Sequence, residues 1–210
     1  MRFYEIEGRR LPSVTTILQA TMPLENQGVL HKSIAKNPQK AIAKRDEARQ
    51  RGEFIHKWAA AVVGRQQRPV DQRHQAYLKH LEPWLTTNIQ PGFFAAETEV
   101  HDLDHGYAGT FDLLASEPRR DRLTVFDFKT TGYKAYPPAV DSALLQTAAY
   151  AAAWNKRHHA LAADAIATIF ISPYKVEVFR REGHELDTLI TQFYQRCREF
   201  GARINAAIPA

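Results

Sequence analysis

The chain has 210 residues, 44% of them hydrophobic and 24% charged, which suits one domain with its own core and excludes a disordered chain. Lysine plus arginine number 28 against 23 for aspartate plus glutamate, a net charge of +5 that permits a polyanionic partner without demanding one. The single cysteine, Cys197, excludes an internal disulfide, a cysteine-based zinc site and a protein-held iron–sulfur cluster, and no apolar run approaches the roughly 20 residues needed to span a bilayer.

Met1-Arg2-Phe3-Tyr4 leads into a strand-like stretch, with neither an apolar h-region nor an Arg/Ser-rich presequence. A cytoplasmic protein with a free, buried thiol is therefore expected. Residues 2–10 alternate and break at Gly8, which predicts a hairpin. Pro12-Ser13 then reads as a helix start with Ser13 as N-cap. Residues 21–39 read as irregular. A strongly charged helix is predicted over 38–63, ending at Gly64, and a second over 70–86 with Tyr77, Leu78, Leu81 and Trp84 as its apolar stripe. Three strands follow, at 93–100, 107–115 and 123–129. Their turns fall at Asp104-His105-Gly106 and Pro118-Arg119-Arg120-Asp121. An Ala-rich helix is predicted at 140–157, and two strands at 165–172 and 175–181 broken at Pro173. In the closing helix Leu186, Leu189, Ile190, Phe193, Cys197, Phe200 and Ile204 share one face. The three tryptophans, Trp58, Trp84 and Trp154, read as core. The order predicts a single α/β or α+β domain over 1–210 with a mixed sheet, residues 1–40 forming an N-terminal hairpin and helix extension.

The chemistry concentrates in a few places. In Phe126-Asp127-Phe128-Lys129, Asp127 and Lys129 share a strand face with Val125 and Leu123, while Phe126 and Phe128 pack on the other. A carboxylate and an ammonium at the end of an apolar strand must be paired, metal-bound or at the sheet's rim. Asp112, in Gly109-Thr110-Phe111-Asp112, lies 15 positions before Asp127, a spacing that lets a hairpin set the two side by side. Two close carboxylates repel; a divalent cation with a taste for hard oxygen, Mg²⁺ or Mn²⁺, removes that cost. Gly109 allows a close approach, or else marks a bulge. His56 is a candidate third ligand, with Gly52 on the same helix face leaving clearance beside it; taken alone, these residues read first as a surface histidine with a packing glycine. Gln146 and Tyr150 are neighbours on the Ala-rich helix, whose Leu145, Ala148, Ala149 and Ala152 can face the sheet; the pair can reach the strand ends or form an amphipathic edge.

Taken together, Arg-Gly-x-x-Ile-His (Arg51 to His56), Glu97 before a strand, Gly-Thr-x-Asp (Gly109 to Asp112), Asp-x-Lys-Thr (Asp127 to Thr130) and Gln-x-x-x-Tyr (Gln146 to Tyr150) resemble the PD-(D/E)XK nuclease superfamily, specifically its RecB-like branch. Leu-Pro-Ser-Val-Thr-Thr-Ile-Leu at 11–18 is similar to stand-alone exonucleases related to the mitochondrial genome-maintenance exonuclease. The resemblance implies a restriction-endonuclease-like α/β core (αβββαβ), a mixed central sheet flanked by helices. It implies metal binding by His56, Asp112, Asp127 and the Phe128 carbonyl. Lys129 would position and help deprotonate the attacking water. Glu97, favoured over Glu99, would act at the same site, and Gln146 and Tyr150 would orient Lys129 or the substrate backbone. The implied activity is a metal-dependent DNA exonuclease on single-stranded DNA, in repair, recombination or replication, with a single-strand-binding protein as a partner and no membrane. A non-cleaving nucleic-acid-binding module and an endonuclease of recombination or defence are the alternatives. The chain departs from its relatives at Ala60, where they often carry Glu, and in lacking the cysteines of iron–sulfur members.

Phosphates need cations and unpaired bases need aromatic faces. Arg51, Thr130, Tyr133 and Lys134 are the leading substrate contacts, with Arg9, Arg10, Arg49, Lys57 and Tyr136 behind them. Ser13, Thr15 and Thr16 read as capping groups before phosphate ligands. The segment His101-Asp102-Leu103-Asp104-His105 offers metal-type side chains but reads as a solvent-facing turn.

Overall fold

The structure, a computed structural model, describes residues 1–23, 38–90, 94–118 and 120–206. Most of the expected irregular stretch 21–39, the start of the strand expected at 93, and Arg119 lie outside the described residues. Strands β1 (Phe3–Ile6) and β2 (Arg9–Pro12) form the N-terminal hairpin, with Glu7 and Gly8 both at positive φ in its turn. Helix α1 (Val14–Ala20) follows at once, its Thr16 N–H donating to the Ser13 hydroxyl as a capping Ser predicts. Helix α2 (Pro38–Val63) keeps the expected bounds; its first half is exposed and its second buries Ile55, Trp58, Ala59 and Ala61. Helix α3 (Gln75–Asn88) starts later than expected, because Asp71 caps a 3₁₀ turn at Gln72–His74 and takes the first turn for itself. No helix among the described residues is long and apolar enough to cross a membrane.

The five-stranded sheet has the order β3 (Phe94–Asp102), β4 (Tyr107–Glu117), β5 (Arg120–Thr130), β6 (Ala163–Ile171), β7 (Val176–Glu182). All neighbours run antiparallel except β5 and β6, which are parallel and joined through α4 (Pro137–Arg157). Helix α5 (Gly183–Ala206) closes the chain. This is the mixed sheet with flanking helices that the motifs imply. Strand β6 is buried on both faces at almost every residue, so its Ala, Ile and Phe side chains need no polar alternation. Helices α1, α4 and α5 cover one face of the sheet around Val14, Tyr107, Phe111, Val125, Trp154 and Phe193; α2 and α3 cover the other around Ile55, Leu81, Leu113, Phe126 and Phe128.

Three expectations are corrected. The stripe of α3 also takes in Leu85, which is fully buried, while Trp84 packs on the same core half-buried, its ring edge-on to Phe126. Cys197 is half-buried, not fully buried; burial pushes its thiol up to about 12, so it stays protonated. The segment 101–105 faces solvent only at Asp104. Asp102 is buried, accepts from the Asp104 and His105 backbone N–H groups and from Lys156 Nζ at 2.8 Å, and lies 2.8 Å from His105 Nδ1, whose ring stacks on Tyr194. Its role is to clamp the β3–β4 turn onto α4 and α5.

Candidate active site

Strand register assembles the acids. The pairs Ala96–Leu113 and Thr98–Phe111 bracket Glu97 and Asp112, and extending the Leu113–Phe126 register sets Asp112 opposite Asp127. One acid from each of β3, β4 and β5 therefore lies in a row across the sheet. The side-chain alternation slips by one residue at this row. Phe111 and Leu114 point into the same core although three positions apart, and Ala95 and Val100, five apart, also share it. The slip in β3 coincides with Glu97, held at φ +48, a left-handed conformation that costs a non-glycine residue of order 1–3 kcal/mol. It turns Glu97 and Asp112 toward the end of α2 that carries His56.

There the groups meet. Asp112 Oδ2 accepts from the Phe128 N–H at 2.6 Å, and its Oδ1 lies 3.1 Å from His56 Nδ1. The other ring nitrogen, Nε2, is 2.7 Å from the Phe128 carbonyl oxygen. Both contacts suit an imidazolium, which donates from each nitrogen. Ligating atoms of His56, Glu97 and Asp112 all lie within 4.8 Å of one another. Asp127, on the α4 face and 1% exposed, pairs instead with Lys129, Oδ2 to Nζ at 2.7 Å, in a geometry that makes no hydrogen bond. The structure thus brings His56, Asp112 and the Phe128 carbonyl together, adds Glu97, and directs Asp127 to Lys129.

The charges are strongly coupled. Burial is the largest influence on His56 and pulls it down, but Asp112 and then Asp127 outweigh it and raise the imidazole to about 9. Burial pushes Asp112 up; the His56 and Lys129 charges and the Phe128 N–H more than reverse this and leave it below the usual carboxylate range. Asp127 is pushed up to about 6, by burial first and by Asp112, against the pull of Lys129. Burial alone would lower Lys129, but Asp127 and Asp112 hold its ammonium above the ordinary lysine value. Glu97, the most exposed acid, is lifted by partial desolvation and then by Asp112.

A histidine raised from 6.5 to about 9 contributes stability that is complete below about pH 6.5 and lost as pH rises through 9. In urea unfolding with a chelator present, His56→Ala should therefore cost clearly more stability at pH 6.5 than at pH 9.5. An equal cost at both would mean that the imidazolium–Asp112 pair does not form.

The other expected residues are placed as follows. Gln146 Nε2 donates to the Tyr150 hydroxyl at 2.7 Å, so these two residues bond to one another. A Cβ at Gly109 would come within 2.3 Å of Tyr150 Cε1, so the approach that this glycine allows is that of the Tyr150 ring. The space beside Gly52 is open. Arg51, its side chain 14% exposed, lies over the Tyr77 ring at 5.2 Å with Glu47 at 3.7 Å, inside the helix packing. Thr130 ends β5, and Tyr133 and Lys134 are exposed in the loop beyond it. Glu97 as a neighbour of His56 and Asp112 had a signal in the sequence: it precedes Asp112 by the same 15 residues that separate Asp112 from Asp127.

A cation fits the donor set. An imidazole and two carboxylates converge, the charge of Asp112 helping to raise Glu97, and a divalent ion would relieve the repulsion between the two acids. No curated protein matches the chain. Among solved structures, the crystal structure of SSO0001 is similar over 89% of this chain and 74% of its own, with 15% identity and a TM-score of 0.43. The family model of the PD-(D/E)XK nuclease superfamily, whose members are typically metal-dependent nucleases, matches residues 29–210. By that match, and on the restriction-endonuclease-like sheet and helices that frame His56, Glu97, Asp112, Asp127 and Lys129, the chain belongs to the PD-(D/E)XK nuclease superfamily.

Proposed function

We propose that the protein is an exonuclease that hydrolyses phosphodiester bonds of single-stranded DNA with Mg²⁺ or Mn²⁺. The observation that carries this reading is the convergence of His56, Glu97 and Asp112 within 4.8 Å, beside the Asp127–Lys129 pair. His56, Glu97, Asp112 and the Phe128 carbonyl would hold the cation, with Asp127 next to them. The cation would supply Lewis acidity toward a phosphate oxygen and a more acidic bound water. The protein's own groups do the positioning. The Phe128 N–H fixes one oxygen of Asp112 and so aims the other. Ligation by His56 requires it to give up the proton it shares with Asp112 or with the Phe128 carbonyl. Asp127 tethers Lys129, whose ammonium orients the attacking water and offsets charge building on the phosphate. While both carboxylates hold its proton, Lys129 acts on that water as a donor.

Titration calorimetry with Mn²⁺ should show binding that weakens at least tenfold in Asp112→Asn. Unchanged affinity would remove the assigned site. Circular single-stranded DNA separates the two modes of cutting: it should survive while its linearised form is degraded, and loss of the circle would make the enzyme an endonuclease.

A further inference from the structure

Two tyrosines stand out on the surface because nothing in the fold needs them there. Tyr133, 71% exposed, lies in the loop that leaves β5, and Tyr174, 64% exposed, in the turn between β6 and β7. Their rings meet edge to face, with centroids 5.6 Å apart. Leaving two large rings in water forgoes burial that each could have gained elsewhere, and an edge-to-face pair still offers open ring faces.

Both segments are held in shape. Thr131 N–H donates to the Ile171 carbonyl, tying the loop to the end of β6, and Ala135 N–H donates to Glu177 Oε2 on β7. The Ser172 hydroxyl accepts from the N–H groups of Tyr174 and Lys175 and donates to the Lys175 carbonyl. The rings are therefore pre-ordered, which lowers the entropy cost of engaging a ligand. Lys134 and Lys175 flank them; Glu177 lies 3.0 Å from Lys175 and is their carboxylate counterweight. The pair also sits beside the chemistry: Tyr133 is four residues beyond Lys129, so their Cα atoms are at most about 14 Å apart.

We propose that Tyr133 and Tyr174, with Lys134 and Lys175, form a stacking clamp for the unpaired bases of the strand that enters the active site. This rests on the nuclease reading above and names its substrate class, an unpaired polynucleotide whose bases stack on tyrosine and whose phosphates meet lysine. Stacking needs free base faces, which the interior of a duplex buries and a single strand presents.

The test is binding of oligothymidylate without divalent metal, so that nothing is cut, followed by fluorescence anisotropy. Tyr174→Ala and Tyr133→Ala should each weaken binding roughly five- to a hundredfold, and Tyr174→Phe, which keeps the ring, should bind as wild type does. An oligomer of the same length with abasic sites should bind the wild type as weakly as oligothymidylate binds the alanine variants, and should not distinguish wild type from variant. Wild-type affinity in both alanine variants, or an equal loss on the abasic strand, would overturn the clamp. The parent reading fails separately. If the wild type shows the ring-dependent pattern but leaves linear DNA intact with Mg²⁺ or Mn²⁺, the nuclease reading falls and the clamp stands. If it degrades DNA with no dependence on either ring, the reverse holds.

Discussion

Lys129→Ala is expected to slow DNA hydrolysis by roughly a hundred- to a thousandfold, the scale for losing one charge-stabilising donor, while far-ultraviolet circular dichroism stays native. Part of the loss acts through Asp127. That carboxyl is already raised to about 6 with the ammonium 2.7 Å away. Without Lys129 it rises further, so at neutral pH a growing share of the buried acid is protonated and withheld from a cation. Asp127→Asn isolates this contribution, since it removes the charge at constant shape, and it should be as inactive as Lys129→Ala. Full activity in both folded variants would mean that the chemistry happens elsewhere on the molecule.

The second large effect is at Gly109. Its missing Cβ is the room that the Tyr150 ring occupies, 2.3 Å from where a methyl would stand. Neither partner can yield easily, because Tyr150 is 4% exposed in the main core and Gly109 is fixed by its pairing with Val100. Gly109→Ala should destabilise the protein by about 1–3 kcal/mol, the usual cost of overpacking. Because Tyr150 lies close enough to feel the charges of Asp127 and Asp112, the displaced ring should also disturb the site and lower activity in molecules that remain folded. Chemical denaturation of Gly109→Ala, Tyr150→Leu and the double variant tests the cause. If the clash is responsible, the alanine costs much less once the ring is gone; simple additivity would point to strand propensity.

Much of the fold was legible because its elements obey strong local rules. Ser13 caps a helix, Gly8 turns a hairpin, and residues 38–63 carry an uninterrupted helical pattern up to Gly64. The opposite faces expected for Asp127 and for Phe126 and Phe128 follow from simple alternation, and the sheet keeps it there. What resisted reading were departures from local rules. Glu97 adopts a left-handed backbone that no propensity favours, and this slip carries it to His56 and Asp112. The bracketed register could have been found by arithmetic, since 97, 112 and 127 are evenly spaced; the slip could not. Arg51 is five residues from His56 on α2, and its guanidinium lies over the Tyr77 ring, a packing that its motif position does not announce. Asp102 looked exposed because its segment is a turn, and nothing local announces that Lys156 will reach it from a helix 54 residues later. The contact of Tyr174 with Tyr133 has no local signal either, being a meeting of two loops at the ends of parallel strands.

The parallel pairing of β5 with β6 also bears on how the protein folds. Strand β5 carries Asp127 and Lys129, and its second partner arrives only after the 21-residue helix α4 has been synthesised. Until then a row of unpaired amides and carbonyls runs along the half-built active site, an edge that invites a second nascent chain. Contacts so distant in sequence also close slowly. Refolding at rising protein concentration should therefore lose yield to aggregates seeded through β5.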